Sequence, residues 1–325
     1  MEIIFFLTII LLNVTFFFNL GKLSKFVNIY DIPDFKRKIH KKKTPQIGGI
    51  IFFFNFCLYL FFDKFFFKDF EFLSYNVILI SSSCIFFLGL FDDKYNLGPK
   101  IKSLIFITIF FLTIYFENSF QINRLSFSIN SLEFNLSKIS IYFTIFCLFL
   151  FINAFNMYDG INGNAGLYII IIFSYFIFKN IYIYLSISLI ITSIFFLFFN
   201  FNHKIFLGDS GSILMSFVIS LIMIIKSYDP VVLFADEIFI LMMLPGIDMA
   251  RLFIIRIYKR RNPLVSDSNH IHHILTKKLN LIKYTFINLI ILILPIILFI
   301  YGVHSIFIIF LSITIYSILI YFFQN

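Results

Sequence analysis

The sequence predicts an all-α polytopic membrane protein, a single integral membrane domain over residues 1–325, and three observations predict it. Of the 325 residues 60% are hydrophobic and 13% charged, with a mean hydropathy of +0.97. A soluble protein carries roughly 25% charged residues, and so few charges cannot cover a water-soluble surface. Apolar stretches close to the ~17–25 residues that cross a hydrocarbon core recur along the chain. Basic residues gather in alternate loops, as in polytopic proteins. A soluble two-domain enzyme, a disordered chain and a secreted disulfide scaffold are excluded.

In order, the apolar stretches are residues 3–20, 46–62, 73–91, 103–116, 139–154, 166–178, 181–199, 212–225, 238–257, 284–301 and 305–323, which makes about eleven transmembrane helices. One helix over 166–199 would reach about 51 Å, too long for a single crossing, so Lys179-Asn180 is expected at a hairpin tip. The stretches 103–116, 139–154, 166–178 and 212–225 are short and need protein neighbours or local thinning. Outside the spans, residues 117–138 alternate polar and apolar residues and are expected to form a small hairpin.

Orientation follows from the basic residues. With loop 21–45 in the cytoplasm, the 26 Lys and Arg all fall inside except Lys64, Lys68, Arg124, Lys138, Lys179 and Lys226. The expected topology is N-terminus outside and C-terminus cytoplasmic. Glu2 precedes the first stretch and Lys22 and Lys25 follow it, the reverse of a signal peptide's charge order, so it reads as a true span. The net charge of +9 is then mostly orientation charge, which also attracts anionic lipid or phosphorylated substrates; no nucleic-acid partner is implied. Cys57, Cys84 and Cys147 sit in apolar stretches without metal-type spacing and read as inert thiols.

On this topology the cytoplasmic acids are all aspartates: Asp31, Asp34, Asp92, Asp93, Asp159, Asp209, Asp248 and Asp267. Helix capping explains any one of them but not the set, because short carboxylates near helix ends suit a hard divalent cation. The first cytoplasmic loop carries Arg37 and His40 before Thr44-Pro45 and Gly48-Gly49, glycines that let backbone approach a ligand or a neighbouring helix. In the second, the adjacent Asp92 and Asp93 repel and call for a cation or a basic partner; Lys100 or Lys102 is placed to serve, or to grip a phosphate. In the third, Asn153, Asn156 and Gly160 recur at helical spacing with Asp159, an oxygen-bearing face that suits magnesium, or else interhelical glue. The fourth, Gly208-Asp209-Ser210-Gly211-Ser212, opens a helix whose N-terminus is a phosphate seat, with Asp209 alternatively its N-cap. The fifth brings His270, His272 and His273, which are open to a zinc reading although no Cys and no His-x3-His pairing accompanies them, with anion binding or proton donation fitting equally well.

Together these loops resemble the polyprenyl-phosphate N-acetylhexosamine-1-phosphate transferases. The resemblance is carried by Asp31, Pro33, Arg37-Lys38 and His40 with T-P-x-x-G-G from Thr44, D-D-x-x-x-L from Asp92 and N-x-x-N-x-x-D-G-I-x-G from Asn153. G-D-x-G-S from Gly208 and H-I-H-H-x-L from His270 complete it, in family order and on one expected side. The His loop is more similar to the undecaprenyl-phosphate GlcNAc-1-phosphate branch than to the phospho-MurNAc-pentapeptide branch. One departure is Asn162, where many relatives carry Asp.

The resemblance implies a magnesium-dependent enzyme, with manganese as the alternative ion. It would move a sugar-1-phosphate from a UDP-N-acetylhexosamine to a polyprenyl phosphate and release UMP, the first membrane step of an envelope polysaccharide. It implies Asp209 as metal ligand with Asn156 second; Asp92, Asp93 and Asp159 as the catalytic acids, Asp159 on the nucleotide side; and Lys102 and Lys100 on phosphate. Asn153 would line the nucleotide, while His270, His272, His273, Arg37 and His40 would contact substrate. The setting is the bacterial inner membrane with the site facing the cytoplasm, and a homodimer is a candidate assembly. The competing readings are a MurNAc-pentapeptide-type activity and, from another class, a secondary transporter or flippase, whose binding groups would sit near the bilayer midplane.

Overall fold

The computed structural model describes residues 1–33, 43–129, 132–228, 231–260 and 269–324. Among them, nine helical stretches are long and apolar enough to cross a membrane. They are built on α3 (Gly48–Phe62, extended by a π-turn at Asp63–Phe67), α4 (Phe72–Tyr95), α5 (Pro99–Phe116), α6 (Ser140–Tyr158), α8 (Ile183–Asn200), α9 (Gly208–Lys226), α10 (Ala235–Tyr258), α12 (Leu281–Ile300) and α13 (Ser305–Gln324). Against the expected eleven, α1 (Glu2–Phe18), which bends by 72° into the short α2 (Leu20–Val27), makes a tenth if the bent pair is one span, and the 15-residue α7 (Asn164–Phe178) is apolar but shorter than a full crossing. Helix α11 (Ile271–Lys278) is short and is not a span.

Helices α7 and α8 form the expected hairpin. Asn180 takes the left-handed conformation at φ 57° and the Ile181 N–H returns to the Phe176 carbonyl at 2.8 Å, so the chain reverses at Lys179-Asn180. Three helices expected to be short are longer than the sequence indicated: 103–116 becomes Pro99–Phe116, 139–154 becomes Ser140–Tyr158, and 212–225 becomes Gly208–Lys226. The extra turns carry Lys100, Lys102, Asn156 and Asp209, which hydropathy trims away although backbone hydrogen bonding continues through them. These functional candidates therefore stand on helix ends rather than in loops.

Helix α9 is the axis of the bundle: 83% of its span is buried, against 17% for α13. Ser212, Ser216 and Ser220 give it a narrow face, with the Ser216 and Ser220 hydroxyls returning to carbonyls one turn back at 2.8 and 2.7 Å. Glycines bring its first turn against two neighbours. A Cβ on Gly48 would stand 2.8 Å from Leu207 Cα, and one on Gly89 2.5 Å from Ser210 Cα. The Gly48-Gly49 pair thus serves helix approach, the second of its two sequence readings.

Two small ladders finish the ends. Strands β1 (Tyr30–Asp31) and β2 (Thr44–Pro45) pair antiparallel, and the next residue, Gln46, bridges to Phe206, which ties the segment between α2 and α3 to the entry of α9. At the opposite end, β3 (Arg124–Ser126) and β4 (Glu133–Asn135) form the expected hairpin, docked on α10 by the Ser128 N–H donating to Asp236 Oδ1 at 3.0 Å.

Candidate active site

Asp92 and Asp93 lie in the last turn of α4, and consecutive helical residues diverge. Asp92 faces α5, where Gly98-Pro99 starts the helix with Pro at its first position and sets Lys102 one turn in. Asn96, at φ 51°, ends α4, and the Leu97 N–H donates to Asp92 Oδ1 at 2.7 Å. Lys102 Nζ then donates to Asp92 Oδ2 and to Asp209 Oδ2, each at 2.5 Å. One ammonium thus bridges two carboxylates from helices more than a hundred residues apart in the chain. Such a shared cation offsets the repulsion that two adjacent partly buried carboxylates suffer.

Asp93 turns the other way, onto the first turn of α9. Its Oδ1 accepts the Asp209 N–H at 2.7 Å and its Oδ2 the Ser210 N–H at 2.9 Å. Gly208 sits at φ +76°, and a Cβ there would lie 2.7 Å from Asp93 Oδ2. The acceptor for the orphan N–H groups of α9 therefore comes from α4, and not from Asp209, whose N-cap reading does not hold. Its side chain is left to meet Lys102.

The C-terminal end of α6 closes this group. Asn156 donates to Ser212 Oγ at 2.9 Å, directly over the first turn of α9. Asn153, one turn earlier, gives its amide to the Phe149 carbonyl of its own helix at 2.7 Å. Asp159 caps α6; burial first, then the fields of Asp209 and Asp93, push its carboxyl well above the usual range. Lys100 is exposed and makes no ion pair among the described residues, so Lys102 is the lysine of the cluster.

The histidines form a second group, joined to the first through the α6–α7 turn. A Cβ on Gly160 would collide with the His272 imidazole, so the glycine is what lets the ring in. His272 is 1% exposed; burial, then His273 and His270, hold its pKa well below the ordinary imidazole value, so it is neutral. His270 donates from Nδ1 to Asp248 Oδ2 at 2.6 Å, and His273 packs its ring on His272 with centroids 4.4 Å apart. Asp248, to which the sequence assigns no role of its own, is the hub of this group. A carboxylate inside an apolar stretch, three residues before Arg251, was the available signal. Arg37 and His40, with Asp34 and Asp267, lie outside the described residues.

A hard divalent ion would find carboxylate oxygens on Asp92 and Asp209 and a carboxamide oxygen on Asn156. Among the described residues no three His, Cys, Asp or Glu side chains converge on a metal position. That donor set suits magnesium, which takes one or two carboxylates and fills its octahedron with water and substrate phosphate. The Lys102 ammonium between the carboxylates marks a place where positive charge belongs.

A bundle of apolar helices that brings Asp92, Asp93, Asp209, Lys102 and the three clustered histidines together near helix ends is an integral membrane protein with a polar centre. Residues 75–227 match glycosyl transferase family 4, and over that stretch the chain is similar to its members. The matched stretch holds Asp92, Asp93, Lys102, Asn156, Asp159 and Asp209, and stops short of the histidines. The chain is similar to the probable undecaprenyl-phosphate N-acetylglucosaminyl 1-phosphate transferase of Bacillus subtilis (strain 168), 28% identical over 245 residues, covering 73% of this chain and 67% of that one. It is also similar to the undecaprenyl-phosphate alpha-N-acetylglucosaminyl 1-phosphate transferase of Escherichia coli (strain K12), 24% identical over 286 residues, 83% of this chain and 75% of the other.

Proposed function

We propose that this protein transfers N-acetylglucosamine 1-phosphate, or a closely related N-acetylhexosamine 1-phosphate, from a UDP-sugar to undecaprenyl phosphate. The observation that carries the reading is the Lys102 bridge between Asp92 and Asp209 at the mouth of α9. The named activities of the relatives support undecaprenyl phosphate as acceptor and N-acetylglucosaminyl 1-phosphate as the transferred group. In the reaction an oxygen of the lipid phosphate attacks the β-phosphorus of the UDP-sugar. The bond from that phosphorus to the bridging oxygen breaks, UMP leaves with the bonding pair, and the sugar–phosphate bond is untouched.

Two anions must meet, so charge management dominates. Lys102 holds phosphate while Asp92 orients the ammonium, and Asp93 fixes α9 so that Asp209 and Asn156 stand beside it. A phosphate whose second pKa is near 6 is already ionised at neutral pH, so no strong base is required. Asp209, Asp92 and Asn156 would hold magnesium, with manganese as its substitute; when bound, the ion neutralises charge on the diphosphate and on departing UMP. Asp159 and Asn153 line the nucleotide side, and the histidines meet the diphosphate or sugar. Asp92, Lys102 and Asp209 stand in the terminal turns of α4, α5 and α9, whereas a transporter would place its binding groups near the midplane.

Purified protein in nanodiscs with UDP-GlcNAc, undecaprenyl phosphate and magnesium is expected to release UMP and to form an organic-extractable sugar lipid. EDTA is expected to abolish both and manganese to restore them. Absence of UMP with every UDP-N-acetylhexosamine tried would refute the activity, and undiminished turnover in EDTA would refute the metal.

The site is proposed to face the cytoplasm of a bacterial cell. A single cysteine at Lys43, beside β2, in a chain stripped of its own three cysteines, is expected to resist a membrane-impermeant maleimide in intact spheroplasts and to react after lysis. Labelling before lysis would reverse the orientation.

A further inference from the structure

Asp248 has a side chain only 4% exposed, and both of its oxygens are engaged. Oδ2 accepts from His270 Nδ1 at 2.6 Å. Oδ1 accepts from the Ile271 N–H at 3.0 Å, the Tyr316 hydroxyl at 2.7 Å and Arg251 Nη2 at 3.1 Å. Arg251 closes the ring, donating from Nε to the Tyr316 oxygen at 2.6 Å and from Nη2 to the Asn269 carbonyl at 2.5 Å. The donors come from α10, from the entry of α11 and from α13, the last helix of the chain.

An ionised carboxylate can only accept, so a proton sits on His270 Nδ1, the ring nitrogen that faces Asp248. The same carboxylate grips the backbone of the next residue, which leaves the His270-Ile271 segment no freedom to turn about its axis. His270 then lies parallel to His272, with ring centroids 5.3 Å apart and planes 6° apart. His272 in turn fills the space that Gly160 leaves open, and its buried Nδ1 has no hydrogen-bond partner among the described residues. A buried polar atom left open at the seam between the two groups is a place where a ligand's hydrogen bond belongs.

We infer that Asp248 is the positioning residue of the histidine segment: it fixes the Nδ1–H tautomer of His270 and the placement of His272. Tyr316 and Arg251 hold the Asp248 carboxylate, so α13 takes part in recognising the sugar nucleotide across the α6–α7 turn. The identity of that ligand rests on the activity proposed above; the tautomer and the coupling to α13 do not.

The test uses the full chain in nanodiscs, labelled with 15N-histidine and assigned with His270→Gln. Wild-type His270 is expected to show a protonated Nδ1 and a bare Nε2, and Asp248→Asn to move the proton to Nε2. With turnover, Tyr316→Phe is expected to raise KM for UDP-GlcNAc about tenfold, the effect of roughly one hydrogen bond, with kcat within about twofold. A wild-type His270 protonated on Nε2, or shifts unchanged in Asp248→Asn, would overturn the inference whether or not the protein turns over. If Asp248→Asn does not fold, the wild-type tautomer and Tyr316→Phe decide; Tyr316→Phe kinetics equal to wild type would remove α13 from recognition. A wild type with the expected tautomer and no turnover sinks the proposed activity and leaves the positioning role standing.

Discussion

Lys102→Met is expected to lower kcat/KM for UMP release by about 10²–10³-fold, the range found when a single preorganised electrostatic contact to a reacting group is lost. Methionine matches the length and most of the volume of lysine, so the helix and its packing survive. What disappears is the ammonium that sits 2.5 Å from both Asp92 and Asp209. The two carboxylates are then left facing one another without a protein countercharge, and an incoming phosphate meets net negative charge. Breaking a partly buried ion pair on one side is costlier than never having built it, because the other charge remains. Lys102→Arg is expected to recover part of the activity only, since a planar fork cannot replace a point charge shared by two acceptors. Steady-state kinetics in nanodiscs check this, and a Lys102→Met enzyme within about threefold of wild type would remove the bridge from the mechanism.

Gly89→Ala is expected to be nearly as damaging although residue 89 touches no substrate group. The added Cβ would stand 2.5 Å from Ser210 Cα and 2.8 Å from the Asp209 carbonyl oxygen, both backbone atoms. Neither can yield as a side chain would, so α4 must part from α9. Overpacking of this kind costs typically about 1–3 kcal/mol. The larger consequence is geometric. Asp93 draws away from the Asp209 and Ser210 N–H groups, and Asp92 from Lys102, and a displacement of about 1 Å in a preorganised site is worth roughly 10²-fold in rate. Gly246→Ala, where a Cβ would meet nothing within 4 Å, is the matched control and should leave turnover unchanged. Equal thermal midpoints and rates for the two variants would show that the α4–α9 contact does not set the site.

The two substitutions mark how far the sequence could be read. Spans were legible because lipid demands long apolar runs, and the α7–α8 hairpin followed from length alone. Span ends were misjudged where the functional residues begin: Lys102, Asn156 and Asp209 each sit inside a helix whose hydropathy had already run out. Asp92 and Asp93 read as one acidic pair, but a helix turns about 100° per residue, and only the packing of α9 decides which carboxylate meets Lys102 and which caps the helix. Asp248 was visible as an acid inside an apolar stretch, yet its partner Tyr316 is 68 residues away and looks like any lipid-facing tyrosine in α13.

Composition, periodicity and the five polar loops by themselves determined a polytopic helical membrane protein and the chemical type of its site, because both are properties of residue kind and local spacing. Only the tertiary structure decided which side chains share a proton or a charge, since Lys102 with Asp209, Asp93 with the α9 backbone, and His270 with Asp248 are long-range contacts that local spacing does not encode, the second of them resting on the close approach that Gly89 and Gly208 allow.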